Sequence, residues 1–326
     1  MKGCKYGTHR VINENVLPQP AIKVNNDMEI YDNEVLIDVS ALNIDSASFT
    51  QIEEECHHDI EKIKSRILEI VEEKGKMQNP VTGSGGMLIG TIEKIGCDLV
   101  NNIDLKIEEI IDIKPDIDRV EIKGKAILFE SGIYAKLPTD MEENLALAAL
   151  DVAGAPAQTQ KLVKKNDSVL VLGAAGKSGM LCCYEAKKKA GKKGRVMGLV
   201  RSDKQAQFLI ENKLVDVAIV GNAQNSNEVL QKVLKANDGE EIDLCINCVN
   251  VQNTEMSSIL PVKDDGIVYF FSMATAFTKA ALGAEGVGKD VNMVIGNGYT
   301  KGHAEVTINA LRESETLRNI FKKLYI

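Results

Sequence analysis

Gly173, Gly176 and Gly179 recur every third residue after the apolar run 169–172, a spacing that can bring a backbone against a phosphate. Gly173 can take a conformation closed to residues with a Cβ. Gly176 leaves room for a pyrophosphate, and Gly179 lets the next helix pack closely on its strand. The amides of this stretch, which includes Ala174, Ala175, Lys177 and Ser178, then face a negative ligand at the start of a helix. The pattern is Gly-x-x-Gly-x-x-Gly rather than Gly-x-Gly-x-x-Gly, so taken alone it also fits a tight strand-to-helix turn that holds nothing. Context raises the nucleotide reading. A helix over 180–190, a basic turn over 191–194 and a second buried strand over 195–200 follow, with the strand at the offset of about twenty residues that a βαβ unit uses. An NAD-preferring fold ends that strand on an acid. Here Val200 is followed by Arg201 and Ser202, and a cation beside a hydroxyl suits a ribose 2′-phosphate, which tilts the expectation toward NADP or dual use. Asp203 is close enough to serve if the turn is displaced.

Two other clusters have the residue types of a chemical site. Glu53, Glu54, Glu55, Cys56, His57, His58 and Asp59 resemble a metal cluster. On a helix, however, adjacent histidines project about a hundred degrees apart and cannot easily share one ion, so a solvated face is expected. Cys245 and Cys248 form a C-x-x-C, but within a strand residues three apart point to opposite faces. They read as buried structural thiols, as do Cys182 and Cys183. Seven cysteines scattered along 326 residues fit reduced thiols better than a disulfide framework.

The elements that position these residues fall into two patterns. A strand over 34–43 leads to Asp45 and Ser46, either of which can cap the following helix. Residues 51–73 form one or two amphipathic helices, with Ile60, Ile63, Ile67, Ile70 and Val71 at helical spacing. Gly83, Gly85 and Gly86 after Pro80 mark a sharp turn, and 98–136 read as short strands with turns at 114–115, 123–124 and 131–132. The period then changes. A helix over 141–153, capped by Thr139 or Asp140 and ended by 154–156, precedes a second helix over 157–165. Strands over 169–172, 195–200, 217–220, 243–249 and 266–272 alternate with helices, which means a parallel sheet. The glycines of 281–288 and 296–302 argue against helix there, and 307–324 reads as one amphipathic helix.

Composition bounds the function. With 44% hydrophobic and 26% charged residues the chain is globular, and a net charge of −8 argues against nucleic acid or an anionic membrane as partner. Aromatic residues at 4%, with no Trp, leave little for base stacking. Neither a signal-peptide core nor a membrane-length apolar run is evident, which places the expectation in the cytoplasm.

This order of parts, from a β-rich region through an Ala-rich helix to an Ala174-x-Gly176-x-x-Gly179 βαβ region, resembles the medium-chain dehydrogenase/reductase superfamily. More narrowly, segments 3–11, 41–50, 79–87 and 271–275 resemble the family of 3,5-diaminohexanoate dehydrogenases of lysine fermentation. The resemblance implies an α/β protein with a Rossmann-type doubly wound parallel sheet over 141–297. It also implies a GroES-like β-rich domain built from 1–140 and 298–326. The implied activity is that of an oxidoreductase, NAD(P)-dependent oxidative deamination of L-erythro-3,5-diaminohexanoate to (S)-5-amino-3-oxohexanoate and ammonia, in a cytoplasmic homodimer. The family is usually written with NAD, in tension with Arg201 and Ser202. Zinc-dependent relatives follow the glycine matching Gly83 with a His-Glu pair, whereas here Ser84 and Gly85 follow, and Cys97 stands alone where relatives carry a structural zinc site. No metal is therefore expected.

Without zinc, a protein group must neutralise the substrate amine before hydride can leave. Asp45 with Ser46 sits where related folds place active-site residues, and His303 can move protons near neutrality. Thr82 and Ser84 can bond the substrate carboxylate or the nicotinamide amide, Glu285 can hold an ammonium and Lys301 a carboxylate. Ser272 is added to the cofactor-binding set by the 271–275 match. Two rival readings remain: a zinc-free NADPH-dependent quinone or enoyl reductase of the same superfamily, and a non-catalytic nucleotide sensor.

Overall fold

Residues 1–44, 46–83, 85–101, 122–272, 274–296 and 299–326 are described by the structure, a computed structural model; among the functional candidates, Asp45 and Ser84 lie outside these residues. The chain divides into two units, Met1–Lys136 and Leu137–Ile326.

In the first unit β1 (Glu34–Asn43) runs between its antiparallel neighbours β2 (Met87–Ile95) and β3 (Gly124–Phe129). Gly90 sits where β2 crosses β1, and a Cβ there would stand 2.2 Å from the carbonyl oxygen of Asp38. Helices α1 (Ser46–Glu55) and α2 (Ile60–Lys74) pack together through Ile52, Cys56, Ile63, Ile67 and Ile70. The expected pair of helices is thus present, but His57 and His58 are not on either. Both take left-handed backbone (φ 53° and 60°) in the turn between them, and Asp59 caps α2 by accepting from the Glu61 and Lys62 amides. His58 lies 3.4 Å from Glu53. Among the described residues no group of three or more His, Cys, Asp or Glu could hold a metal ion. Of the short strands expected in 98–136, those within 102–121, with the turn at 114–115, lie outside the described residues.

The first thirty-three residues hold little regular structure and are tied down by polar bonds. Buried Arg10 donates from Nε and Nη2 to the two oxygens of buried Glu34 (2.7 and 2.6 Å), and its guanidinium also reaches the carbonyls of Asn25, Asp27 and Glu29. The ring of His9 adds a contact to Glu34 at 2.9 Å.

The second unit begins with α3 (Glu143–Leu150) and α4 (Gly154–Leu162), then alternates β4 (Ser168–Leu172), α5 (Lys177–Ala190), β5 (Arg195–Val200), α6 (Asp203–Glu211), β6 (Val217–Val220), α7 (Ser226–Ala236), β7 (Ile242–Asn247), α8 (Glu255–Ile259), β8 (Val262–Phe270), α9 (Phe277–Val287) and β9 (Asn292–Ile295). It closes with α10 (His303–Glu313) and α11 (Glu315–Tyr325). The strands form one parallel sheet in the order β6-β5-β4-β7-β8-β9, a doubly wound arrangement. Both faces are buried. Val169 and Val171 face Met180, Leu181, Leu311 and Phe321, while Leu170 and Leu172 face Val229, Val233 and Ala280.

Several expectations are corrected here. Helix α4 starts at Gly154 rather than after Pro156, because a proline in the first turn has no amide that the helix needs. Residues 281–288 are largely helical: α9 buries Ala280 and Ala284, and Gly283 lies where a Cβ would stand 2.4 Å from the sulfur of Met256. A sixth strand, β9, extends the sheet. The helix expected over 307–324 is two, since Ser314 leaves helical geometry (φ −115°, ψ 101°) and its hydroxyl accepts from the Leu317 amide. Residues 299–326, expected with the first domain, belong to the second unit, where Leu311, Leu317, Ile320 and Phe321 enter the core formed by β4, β7 and α5.

Cys245 and Cys248 point into opposite layers, as the strand geometry requires. Cys248 instead approaches Cys182, with the sulfurs 3.9 Å apart. That contact, with burial, pushes the Cys248 thiol up, and burial does the same to Cys183 and Cys245, so these groups stay protonated.

Candidate functional site: a dinucleotide turn and a hydroxyl pair

The strands of the second unit all end at one edge of the sheet, where parallel α/β folds hold ligands. Gly173 follows β4 with φ 75°, and its amide and that of Ala174 donate to the carbonyl of Leu199 (3.1 and 3.3 Å), which anchors the turn on β5. A Cβ on Gly179 would lie 2.2 Å from the carbonyl oxygen of Gly173, so the closeness of helix to turn excludes any side chain. Gly176 is different. It is exposed at the start of α5, and a Cβ there would meet only Gly173 O at 3.3 Å. The protein's own packing barely requires that glycine, whereas a ligand close to the turn would. The first amide bonded within α5 is that of Met180, to Gly176 O, so the amides of Lys177, Ser178 and Gly179 precede the helical ladder. These residues fit a dinucleotide pyrophosphate. Lys177 reaches Asp151 at 2.9 Å and lies 5.3 Å over the ring of Tyr325, which stations its charge beside the helix start.

Arg201 and Ser202 join β5 to α6. The Ser202 hydroxyl accepts from the Gln205 amide at 3.4 Å as the cap of α6, and the Arg201 amide bonds Gln205 Oε1. The Arg201 side chain is exposed. Beyond β7 and β8, fully buried Asn247 donates to Thr254 and Ser258 (2.9 Å each), accepts from the Val249 amide, and offers its carbonyl to the amides of Phe271 and Ser272. It thereby fixes both loops at the site edge. The hydroxyl of Ser272 accepts from the Ala274 amide at 3.2 Å. Near these loops is a cavity of about 300 Å³ lined by Gln252, Glu255, Thr275 and Lys279. Glu255 is buried and accepts from the Ala276 amide.

His303 opens α10, with its ring edge-on to Tyr299 at 5.2 Å. Burial holds it below the ordinary histidine range, so at neutral pH it is the uncharged imidazole. Exposed Lys301 stands in the preceding turn, and Thr300 ties that turn to Gln158 of α4 at 3.0 Å. Glu285 is not brought to this edge. It is exposed near the end of α9, shortly before Lys289, whose ammonium bonds the carbonyl of Val262 where β8 begins.

In the first unit the segments around Ser46 and Thr82 do meet. Ser48, in the first turn of α1, is fully buried, and its hydroxyl lies 2.5 Å from that of exposed Thr82. Asn79 holds the two segments together, donating to the Ser48 carbonyl (3.1 Å) and Gln51 Oε1 (2.7 Å) while accepting from the amides of Val81 (2.8 Å) and Thr82 (3.1 Å). Sequence reasoning passed over Asn79, Ser48, Asn247 and Glu255. The asparagine-proline start of a turn was a usable signal for Asn79, and a lone asparagine in an apolar strand one for Asn247.

The model of the L-erythro-3,5-diaminohexanoate dehydrogenase N-terminal domain matches residues 9–107 and 100–138. A protein of Acetoanaerobium sticklandii named L-erythro-3,5-diaminohexanoate dehydrogenase is 70% identical, covering 100% of both chains. One of the same name from Fusobacterium nucleatum subsp. nucleatum is 65% identical, covering 100% of this chain and 99% of its own. Among solved structures, a quinone oxidoreductase of Pseudomonas syringae pv. Tomato DC3000 is similar with a TM-score of 0.53 and 19% identity, covering 92% of this chain and 83% of its own. An alcohol dehydrogenase from Thermus sp. ATN1 gives 0.54 and 18%, covering 91% and 87%. These distant likenesses support the pairing of a Rossmann-type sheet with a small GroES-like β domain. The glycine turn alone would suit many nucleotide enzymes, but 65–70% identity along the full length narrows the choice, and the chain belongs to the L-erythro-3,5-diaminohexanoate dehydrogenase family.

Proposed function

We propose that the chain catalyses oxidative deamination of L-erythro-3,5-diaminohexanoate, giving (S)-5-amino-3-oxohexanoate, ammonia and reduced nicotinamide cofactor. The observation that carries this reading is 70% identity, end to end, with a relative of that name. When bound, oxidised nicotinamide accepts the hydride that leaves C3. The turn 173–179 holds the pyrophosphate, with Ser272 at the β8 end of the same edge. Arg201 takes a ribose 2′-phosphate, which supports use of NADP as well as NAD, while Ser202 contributes mainly by capping α6.

The chain's own groups must take a proton from the C3 ammonium before hydride can leave, and must then help water add to the resulting substrate iminium. Asp45, assisted by Ser46, is the proposed base, and the neutral imidazole of His303 is a second acceptor. Thr82, Ser84 and Lys301 are the proposed substrate-binding residues. Glu285, away from the edge that carries the glycine turn, is dropped from that set. The enzyme is proposed to work without metal, as a cytoplasmic homodimer. No helix among the described residues is long and apolar enough to cross a membrane, and β9 is an outer strand of the sheet. The rival reductase reading shares the zinc-free pattern and fits Arg201, but the quinone and enoyl reductases of similar structure are only 12–19% identical, which speaks to fold alone.

The test is the absorbance of reduced nicotinamide when purified protein meets the diamino acid with NAD or NADP, with and without a chelator. Reduction at an unchanged rate in chelator is expected. No reduction with either cofactor overturns the activity, and a rate abolished by the chelator overturns the metal-free mechanism.

A further inference from the structure

Taking a charge or a hydroxyl out of water without partners is costly, and the cavity of about 300 Å³ near the Ser272 loop has one of each in its wall. Glu255 is 3% exposed, and one of its carboxylate oxygens accepts from the Ala276 amide. Among the described residues it makes no other hydrogen bond and no ion pair. Lys279, in the same wall, donates instead to Asn253 Oδ1. Thr275 is 8% exposed, and its hydroxyl oxygen is buried with no hydrogen-bond partner. Tying down one backbone amide needs only a neutral oxygen, so the loop contact does not explain a buried carboxylate, and nothing in the fold uses the threonine hydroxyl. Both groups stand beside the proposed cofactor site, since the Thr275 amide donates to the carbonyl of Ser272 at 3.4 Å.

We propose that Glu255 and Thr275 bind the C5 ammonium of the diamino acid, the amine that the reaction leaves in place. This rests on the activity proposed above and adds to it the contact that selects a diamino acid over a monoamino acid. A carboxylate stabilises a neighbouring ammonium and opposes its deprotonation, which suits C5 and would hinder reaction at C3. Bound there, the ammonium supplies the counter-charge that Glu255 lacks and donates to the Thr275 hydroxyl. The other proposed substrate-binding residues, Thr82, Ser84 and Lys301, carry no negative charge, and Glu285 lies away from this edge.

The experiment uses the full-length enzyme and two competitors of the diamino acid: 5-aminohexanoate, which keeps the C5 ammonium, and 3-aminohexanoate, which lacks it. Glu255→Gln removes the charge while keeping an oxygen for the Ala276 amide. In that variant KM for the diamino acid and the inhibition constant of 5-aminohexanoate should rise about tenfold to a hundredfold, the worth of one hydrogen bond to a charged group. The inhibition constant of 3-aminohexanoate should stay at the wild-type value. Thr275→Val should move the same two constants in the same direction by a smaller factor, without lowering the urea midpoint, because its hydroxyl bonds nothing in the protein. Reduced-cofactor affinity, read by fluorescence, should not change in either variant. If Glu255→Gln does not yield folded protein, Thr275→Val carries the comparison. Equal losses for the two competitors, or weaker cofactor binding with 5-aminohexanoate unaffected, overturn the proposal while leaving the activity intact. A wild-type enzyme without turnover overturns the activity and this role with it.

Discussion

Three glycines of the phosphate turn share a residue type but not a reason for it. Gly179 is required by the protein: a Cβ would strike the backbone of Gly173 at 2.2 Å and of Ala174 at 2.7 Å, and neither can move without opening the turn. Gly176 has only one contact, at 3.3 Å, on the protein side. The two alanine variants should therefore part. Gly179→Ala should lose about 1–3 kcal/mol of stability in urea unfolding, in line with overpacking of a tight contact. Gly176→Ala should unfold close to the wild type yet bind reduced nicotinamide more weakly by fluorescence titration. Equal stability of both variants would refute the packing argument, and unchanged cofactor affinity in Gly176→Ala would refute the ligand argument. The spacing in the sequence shows that a turn is there, but not which glycine serves the fold and which a ligand.

At the scale of elements, the C-terminal helices show where periodicity is blind. Leu311, Leu317, Ile320 and Phe321 continue one apolar stripe across Ser314, so the pattern reads as a single helix although the backbone breaks there. The break is held by one cap, the Ser314 hydroxyl on the Leu317 amide. Ser314→Ala should cost about 1 kcal/mol, read as a lower urea midpoint with an unchanged slope, and Ser314→Asp should retain most of the stability. Helix α9 is the complementary case. Its glycines cost about 1 kcal/mol each as helix formers, which argued against a helix, but burial of Ala280 and Ala284 and the fit of Gly283 against Met256 offset that cost. Strand β1 was legible to the residue because its residues alternate apolar and polar over 37–41 within a largely apolar run, a pattern that suits a strand better than a helix.

The stability of the whole molecule should carry a pH signature from its N-terminal thirty-three residues, which are fastened by the Arg10–Glu34 pair. Burial acts to raise the Glu34 pKa, but bonds from Arg10, the Tyr31 amide and His9 outweigh it and hold the carboxyl below its usual range. A depressed folded value means that this stabilisation is complete above the unfolded carboxylate pKa, about 4.3, and is lost as pH falls through the folded value. Wild-type urea midpoints should therefore fall between about pH 5 and pH 3, and Glu34→Gln should remove part of that dependence. At neutral pH the same variant should be less stable by about 3–5 kcal/mol, the cost of breaking a buried pair. An identical pH profile in both proteins would show that the pair contributes nothing to acid sensitivity.

What the sequence determined on its own is what local sterics and short periods can specify: β1, the Gly173 turn with its strand and helix, and the alternation that makes a parallel sheet. Each depends on residues within a few positions of one another. The tertiary structure alone decided that 299–326 join the second unit, that β9 extends the sheet, that Glu285 lies away from the edge carrying the glycine turn, and that Asn79 joins Ser48 to Thr82. Those outcomes depend on which apolar faces and buried polar groups from distant parts of the chain can satisfy one another, and no spacing within a single segment records that.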